Sequence, residues 1–259
     1  MHALLLLLVL FGSVARASAA PIVACGQQIP AGGVGVLEAD LTCAGAFATS
    51  ALVLGQNARL DLNGHTVAVT HPDGAVGIVC SRSCSVIGPG TISGAGNPDY
   101  GAAILSDRGR LTLTDVEISG FSTGVMQFPS GRLVATNLDV HDCSGTGVVS
   151  GRLLARQVSV RRNGAGIKVM RGLKGIDIEA TDNRLGIQSA RGVSGVGFTI
   201  TANAFAGIVA GRVKLADSII QGNGTIDIAS DFEPELVNTI CDHSFEFSSG
   251  DSWGVCTLD

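Results

Sequence analysis

Aromatic residues are scarce: one Trp, one Tyr and nine Phe in 259 residues. Deep carbohydrate subsites floored by stacked rings therefore have little to be built from. Charged residues make up only 15% of the chain, with 22 acidic against 17 basic. The resulting net charge of -5 argues against nucleic acid as the main partner, while leaving room for a local basic stripe. Long apolar runs are missing as well. Residues 3–11, "ALLLLLVLF", are too short to span a bilayer, and no later segment is apolar enough to cross one. What the chain does have is glycine, 36 residues of it, together with many Val, Ile and Leu. That composition favours tight turns and short aliphatic strands over a helical bundle.

The apolar run leads into Ala17-Ser18-Ala19, which fits a small-residue cleavage site, so residues 1–19 are expected to be a signal peptide. A second reading takes "IVAC" (Ile22–Cys25) as a loose lipobox that would put a lipid on Cys25. Arg16 and the long gap after the apolar run weigh against it. Export to an extracellular or periplasmic space makes disulfides plausible for the seven cysteines. Pairing nearest neighbours gives Cys25–Cys43, Cys80–Cys84 and Cys241–Cys256, with Cys143 left over; other connectivities stay open. No Cys/His spacing suggests a metal site, and no cofactor is expected.

A repeat organises the rest. Asn163, Asn183, Asn203 and Asn223 recur at every twentieth position. Gly166-Ile167, Gly186-Ile187 and Gly207-Ile208 follow the first three, and Gly124-Val125 and Gly147-Val148 precede them in kind. A second ladder runs Asp115, Asn137, Gln157, Asp177, Asp217, with Gly197 in the gap. A third is basic: Arg110, Arg132, Arg152, Arg171, Arg191, Arg212. Apolar residues alternate between the markers, as in Val158/Val160 and Ile176/Ile178, which is the mark of a strand with one buried face. Three such strands in so short a repeat leave no room for hairpins. A coil that returns above itself once per repeat fits: an all-β, right-handed parallel β-helix with ~20-residue coils and disulfide-closed caps. Residues 51–231 form the expected β-helix, 20–50 an N-terminal cap and 232–259 a C-terminal cap. Coils stack at about 4.8 Å, so asparagines of adjacent coils can bond one another and the turn backbone.

"CGQQIPAGGVGVLEADLTC", "LDLNGHTV", "VIGPGTISG" and the repeated Asn-x(2–3)-Gly-Ile resemble secreted bacterial right-handed β-helix repeat proteins of the pectin-lyase-like superfamily. The resemblance covers nearly all of the chain after residue 19. It implies the fold far more firmly than any chemistry, since that superfamily holds pectate lyases, polygalacturonases, alginate epimerases and members of unknown activity.

The motifs of those enzymes are absent. There is no Asn-Thr-Asp, no Asp-Asp pair, no Gly-His-Gly and no Arg-Ile-Lys; Gly64-His65-Thr66 comes nearest. Arg-x-Pro-x-x-Arg and Asp-Pro-His-Asp are missing too, and "GGVGVL" (32–37) lacks the Asp of a calcium repeat. No outward carboxylate pair of the kind glycoside hydrolysis needs is evident in the regular coils. If Ile167 and Val169 point inward, Lys168 points outward, in a row with Met126, Val149, Gln188, Val209 and Asp227. Flanking turns add Asp142, Arg162, Asp182, Arg184, Arg171 and Arg191. The candidate ligand site is thus Lys168, Arg171, Asp182, Arg184, Gln188 and Arg191, with an anionic polysaccharide as the partner that fits. Asp115, Asp177, Glu179 and Asp217 are candidate counter-charges for the arginine ladder. His141 beside Asp142 would be an acid/base pair only if neighbours in a strand faced one way, and they do not. Cys143 occupies the asparagine slot of its coil and reads as a buried thiol. Tyr100 beside Asp99 could stack on a sugar. Three functions remain: a polysaccharide-binding surface protein, a small polysaccharide lyase or uronate epimerase, and a purely structural or adhesive solenoid.

Overall fold

The computed structural model describes residues 19–44, 50–70, 76–95 and 101–259. Residues 1–18 of the expected signal peptide 1–19 and Asp99–Tyr100 lie outside them. Every strand of the described chain pairs in parallel with its equivalent one coil away, and no helix occurs among the described residues. The chain is an all-β parallel β-helix, as its repeat predicts. Early coils are the wider ones: Leu52 pairs with Ile78, and Ile78 with Ile104. Later coils tighten, with Ile167, Ile187, Ile208 and Ile228 stacked in register.

Each coil contributes one strand to each of three faces. In the coil that starts at Ala165, the first face takes residues 165–169, the second 172–176 and the third 178–181. Pairing continues to both ends. Ala20–Ile22 stacks on the second face against residues 35–37, and Glu235–Val237, Ile240–Cys241 and Ser244–Glu246 extend the three faces in turn. The three disulfides are Cys25–Cys43, Cys80–Cys84 and Cys241–Cys256, the nearest-neighbour pairing. Such bonds fit an oxidising compartment.

The core is a stack of aliphatic side chains. Leu111, Leu133, Leu153, Leu173, Val193 and Val213 fill one inward row, all nearly without solvent exposure. Phe198 is the one fully buried aromatic ring among the described residues. It fits because the opposite wall carries Gly175 and Gly195, where a Cβ would come within 2.8 and 2.5 Å of its ring.

Two corners of each coil explain the ladders. The Asp115/Asn137/Gln157/Asp177/Gly197/Asp217 series sits between the second and third faces, and every member has a left-handed φ of 48–70°. Asn and Asp tolerate that region best among residues with a side chain, and glycine enters it freely. This is why glycine can take the slot at 197. The Asn163–Asn223 ladder sits between the third and first faces. The Oδ1 atoms of Asn183, Asn203 and Asn223 each accept from the backbone N–H and the Nδ2 of the asparagine one coil before, at 2.8–3.1 Å. Each Nδ2 also donates to a third-face carbonyl, at Val140, Val160, Ala180 or Ile200. The ladder ends on Asp227, whose Oδ1 accepts from Asn223.

Cys143 starts that ladder: it is buried, unbonded to another cysteine, and its N–H donates to Asn163 Oδ1 at 3.0 Å. Burial pushes its thiol up to about 11. At pH 8 the native protein should therefore react with a thiol reagent at zero equivalents, rising to one only on unfolding in the absence of reductant. Prompt labelling of folded protein would contradict the assigned burial.

Candidate functional site

The basic residues of the second face form the most distinctive surface. Arg110, Arg132 and Arg152 stack in register, and the same row continues as Gly172, Gly192 and Arg212. Arg171 and Arg191 stand one residue earlier, where the register shifts after Ser150 and after Ser189. The arginine stack is therefore staggered, which spreads the guanidinium groups instead of piling them. Together Arg132, Arg152, Arg171, Lys174, Arg191, Arg212 and Lys214 line an open groove of about 480 Å³ that contains no carboxylate. From Arg132 to Arg212 it crosses four coil steps, or about 19 Å at ~4.8 Å each.

The counter-charges expected from the sequence do not reach this groove. Asp115 and Asp217 accept hydrogen bonds from Asn137 and Asn238 at their own corner, 2.7 and 3.1 Å away. Glu179 lies on the third face and accepts from Ser159 and Thr181. Asp177 stays at the left-handed corner beside Gly197. Among the described residues, the two cations at the C-terminal end of the groove are engaged: Lys214 with Glu235, and Arg212 over the Phe232 ring at 4.4 Å. Among the described residues, no carboxylate lies within ion-pair distance of Arg132, Arg152, Arg171, Lys174 or Arg191. Neighbouring like charges about 5 Å apart repel by roughly 0.8 kcal/mol in bulk water. Five such groups without partners make a field that a line of anions would relieve.

The remaining candidates fall elsewhere. Lys168 and Gln188 are register partners on the first face. They share a smaller pocket of about 240 Å³ with Met170, Val209, Asp231 and Phe247. Asp182 and Arg184 flank Asn183 at the corner between the third and first faces, where Asp182 has φ 56°. They line neither the groove nor this pocket. The six candidates thus divide among three places, with Arg171 and Arg191 in the groove. Asp227 is not in the Lys168 row. Val209 pairs with Ala229, and Asp227 is buried with its Oδ2 accepting from the N–H groups of Asp242 and His243.

The third face corrects two expectations. It does present an outward carboxylate pair: Glu117 and Asp139 are register partners, followed by Ser159 and Glu179. Polar residues at alternating outward positions are hard to tell from ordinary surface, so the sequence hid them. Burial pushes the Asp139 carboxyl above its usual range despite Arg161 at 2.7 Å. His141 and Asp142 also meet, Nδ1 to Oδ2 at 2.6 Å. The strand alternation rule fails there because Asp142 has φ 55° and turns its side chain back. His141 Nε2 bonds Glu117 at 3.0 Å, and Asp142 accepts two hydrogen bonds from Arg162 at 2.8 Å. Both ring nitrogens of His141 are thus engaged by carboxylates. The cluster ties three successive coils together.

Arg162 and His141 hold the Asp142 carboxyl well below the usual carboxylate range. Its stabilising contribution is therefore complete above the unfolded value of about 3.9 and is lost as pH falls towards the folded one. Asn tolerates the same φ, so Asp142→Asn removes charge with little backbone strain. The variant should melt below the parent at pH 6, and the gap should narrow steadily as pH falls below about 4. A gap independent of pH would sink the ion-pair assignment.

Comparison of the chain with protein-family models, with curated proteins and with solved structures found no match.

Proposed function

We propose that the chain is an exported β-helix protein that binds an anionic polysaccharide along the groove of its second face. The observation that carries this reading is the run of five cations, without carboxylate partners among the described residues, spread over four adjacent coils stacked at about 4.8 Å. A strip of cations extended along the solenoid suits a linear polyanion better than a compact ligand. The parallel β-helix supports kinship with the pectin-lyase-like superfamily, and the three disulfides support export. The groove lining has no carboxylate or histidine to act as acid or base, so binding ranks ahead of lyase or epimerase chemistry.

The test is equilibrium binding to a polyuronate and to a neutral glucan of matched length, at low and high salt. Polyuronate binding that weakens as salt rises, with no glucan binding, is the expected result. Equal affinity for both polymers, or none for the polyuronate, would refute the proposal. An unsaturated product absorbing in the ultraviolet would move the reading to a lyase.

A further inference from the structure

The second face is not basic throughout. Beside the groove runs an apolar strip. Leu154, Ile176 and Val196 are 38, 48 and 43% exposed although large and aliphatic. Ile176 and Val196 are register partners, and the row continues to Ala216 and Val237. The strip lines its own shallow depression of about 470 Å³. Leu154, Lys174 and Ser194 line both depressions, so strip and groove are one continuous surface. Ile176 and Val196 stack after Arg156, and Leu154 stands diagonally across from Ile176, in register with Lys174. Exposed aliphatic residues one at a time need no explanation, but three grouped beside unpaired cations make a patterned surface.

We infer that the polyanion bound by this face carries O-acetyl substituents, which lie on the strip formed by Leu154, Ile176 and Val196. This rests on the binding reading above. The argument is complementarity on both sides of the ligand. Anionic groups meet the guanidinium row. Bare sugar hydroxyls on the strip would give up water for aliphatic side chains and gain no hydrogen bond, which is unfavourable. The methyl end of an acetyl group has no such penalty and buries apolar surface there. A fully hydroxylated polymer therefore uses only half of the face, and a partly acylated one uses both. Enough free carboxylates must remain to hold the groove.

The experiment compares one acetylated polyuronate with the same polymer after mild saponification, so that chain length and acid content match. The native protein should bind the acetylated form about tenfold more tightly. Ile176→Thr/Val196→Thr keeps β-branched side chains at exposed positions, so folding should survive, as a thermal melt would confirm. This variant should lose the acetyl preference while retaining its affinity for the saponified polymer. Equal binding of both polymers by the native protein overturns the inference and leaves the groove reading intact. Binding of neither overturns both. Dimerisation that disappears in the Thr variant, with no acetyl preference, also overturns it, because a second copy then covers the strip.

Discussion

Asn183→Ala should destabilise the protein by about 3 kcal/mol, more than any surface change in the same coils. Asn183 is 1% exposed and sits in the middle of the asparagine ladder. Its Oδ1 accepts from Asn163 N–H and Nδ2, and its Nδ2 donates to Val160 and Asn203. Alanine removes all four bonds at once. It leaves the Asn163 N–H buried without an acceptor, and each orphaned buried group costs about 1–3 kcal/mol. Water cannot easily replace the lost amide, because Gly186 packs its backbone against the next coil; a Cβ there would lie 2.5 Å from Gly207 O. Urea denaturation should show a lower midpoint with an unchanged slope. A midpoint within experimental error of the parent would mean that the ladder is ornamental. Arg184→Ala, one residue away and exposed, is the control and should shift little.

Arg171→Ala/Arg191→Ala should weaken polyuronate binding by roughly a hundredfold at low salt. Two charge-assisted hydrogen bonds at about 1.5–3 kcal/mol each amount to two or more factors of ten. Lys168→Ala/Gln188→Ala should change affinity by less than about threefold, since those residues open onto the first face, away from the groove. The contrast separates the groove from the first-face pocket. If the Lys168 pair proves the more damaging, the binding surface is on the first face and the groove assignment fails. The affinity of the arginine variant should also depend less on salt, because fewer ion pairs remain to be screened.

The repeat by itself determined the fold. Asparagines at every twentieth position, with Gly-Ile after the first three, require stacked equivalent positions, and only a coil returning on itself supplies them. The structure explains the gap-filling Gly197: it occupies the left-handed corner, a region that glycine enters without strain. Nearest-neighbour cysteine pairing was legible for a related reason: in a solenoid, residues close in sequence are close in space.

What the sequence could not decide was which side chains share a face. Lys168 and Arg171 are close neighbours in the chain, yet a corner lies between them, so one opens onto the first face and the other onto the second. His141 and Asp142 are adjacent, and strand alternation makes them diverge, yet a single positive φ brings them together. Charge partners escaped the sequence for the same cause. Asp115 and Asp217 look near the arginine ladder in sequence, but their left-handed corners aim them at Asn137 and Asn238. Periodicity fixes how far apart equivalent residues stand along the solenoid axis. The direction of each side chain around that axis depends on the φ of every corner residue, and only the tertiary structure supplies it.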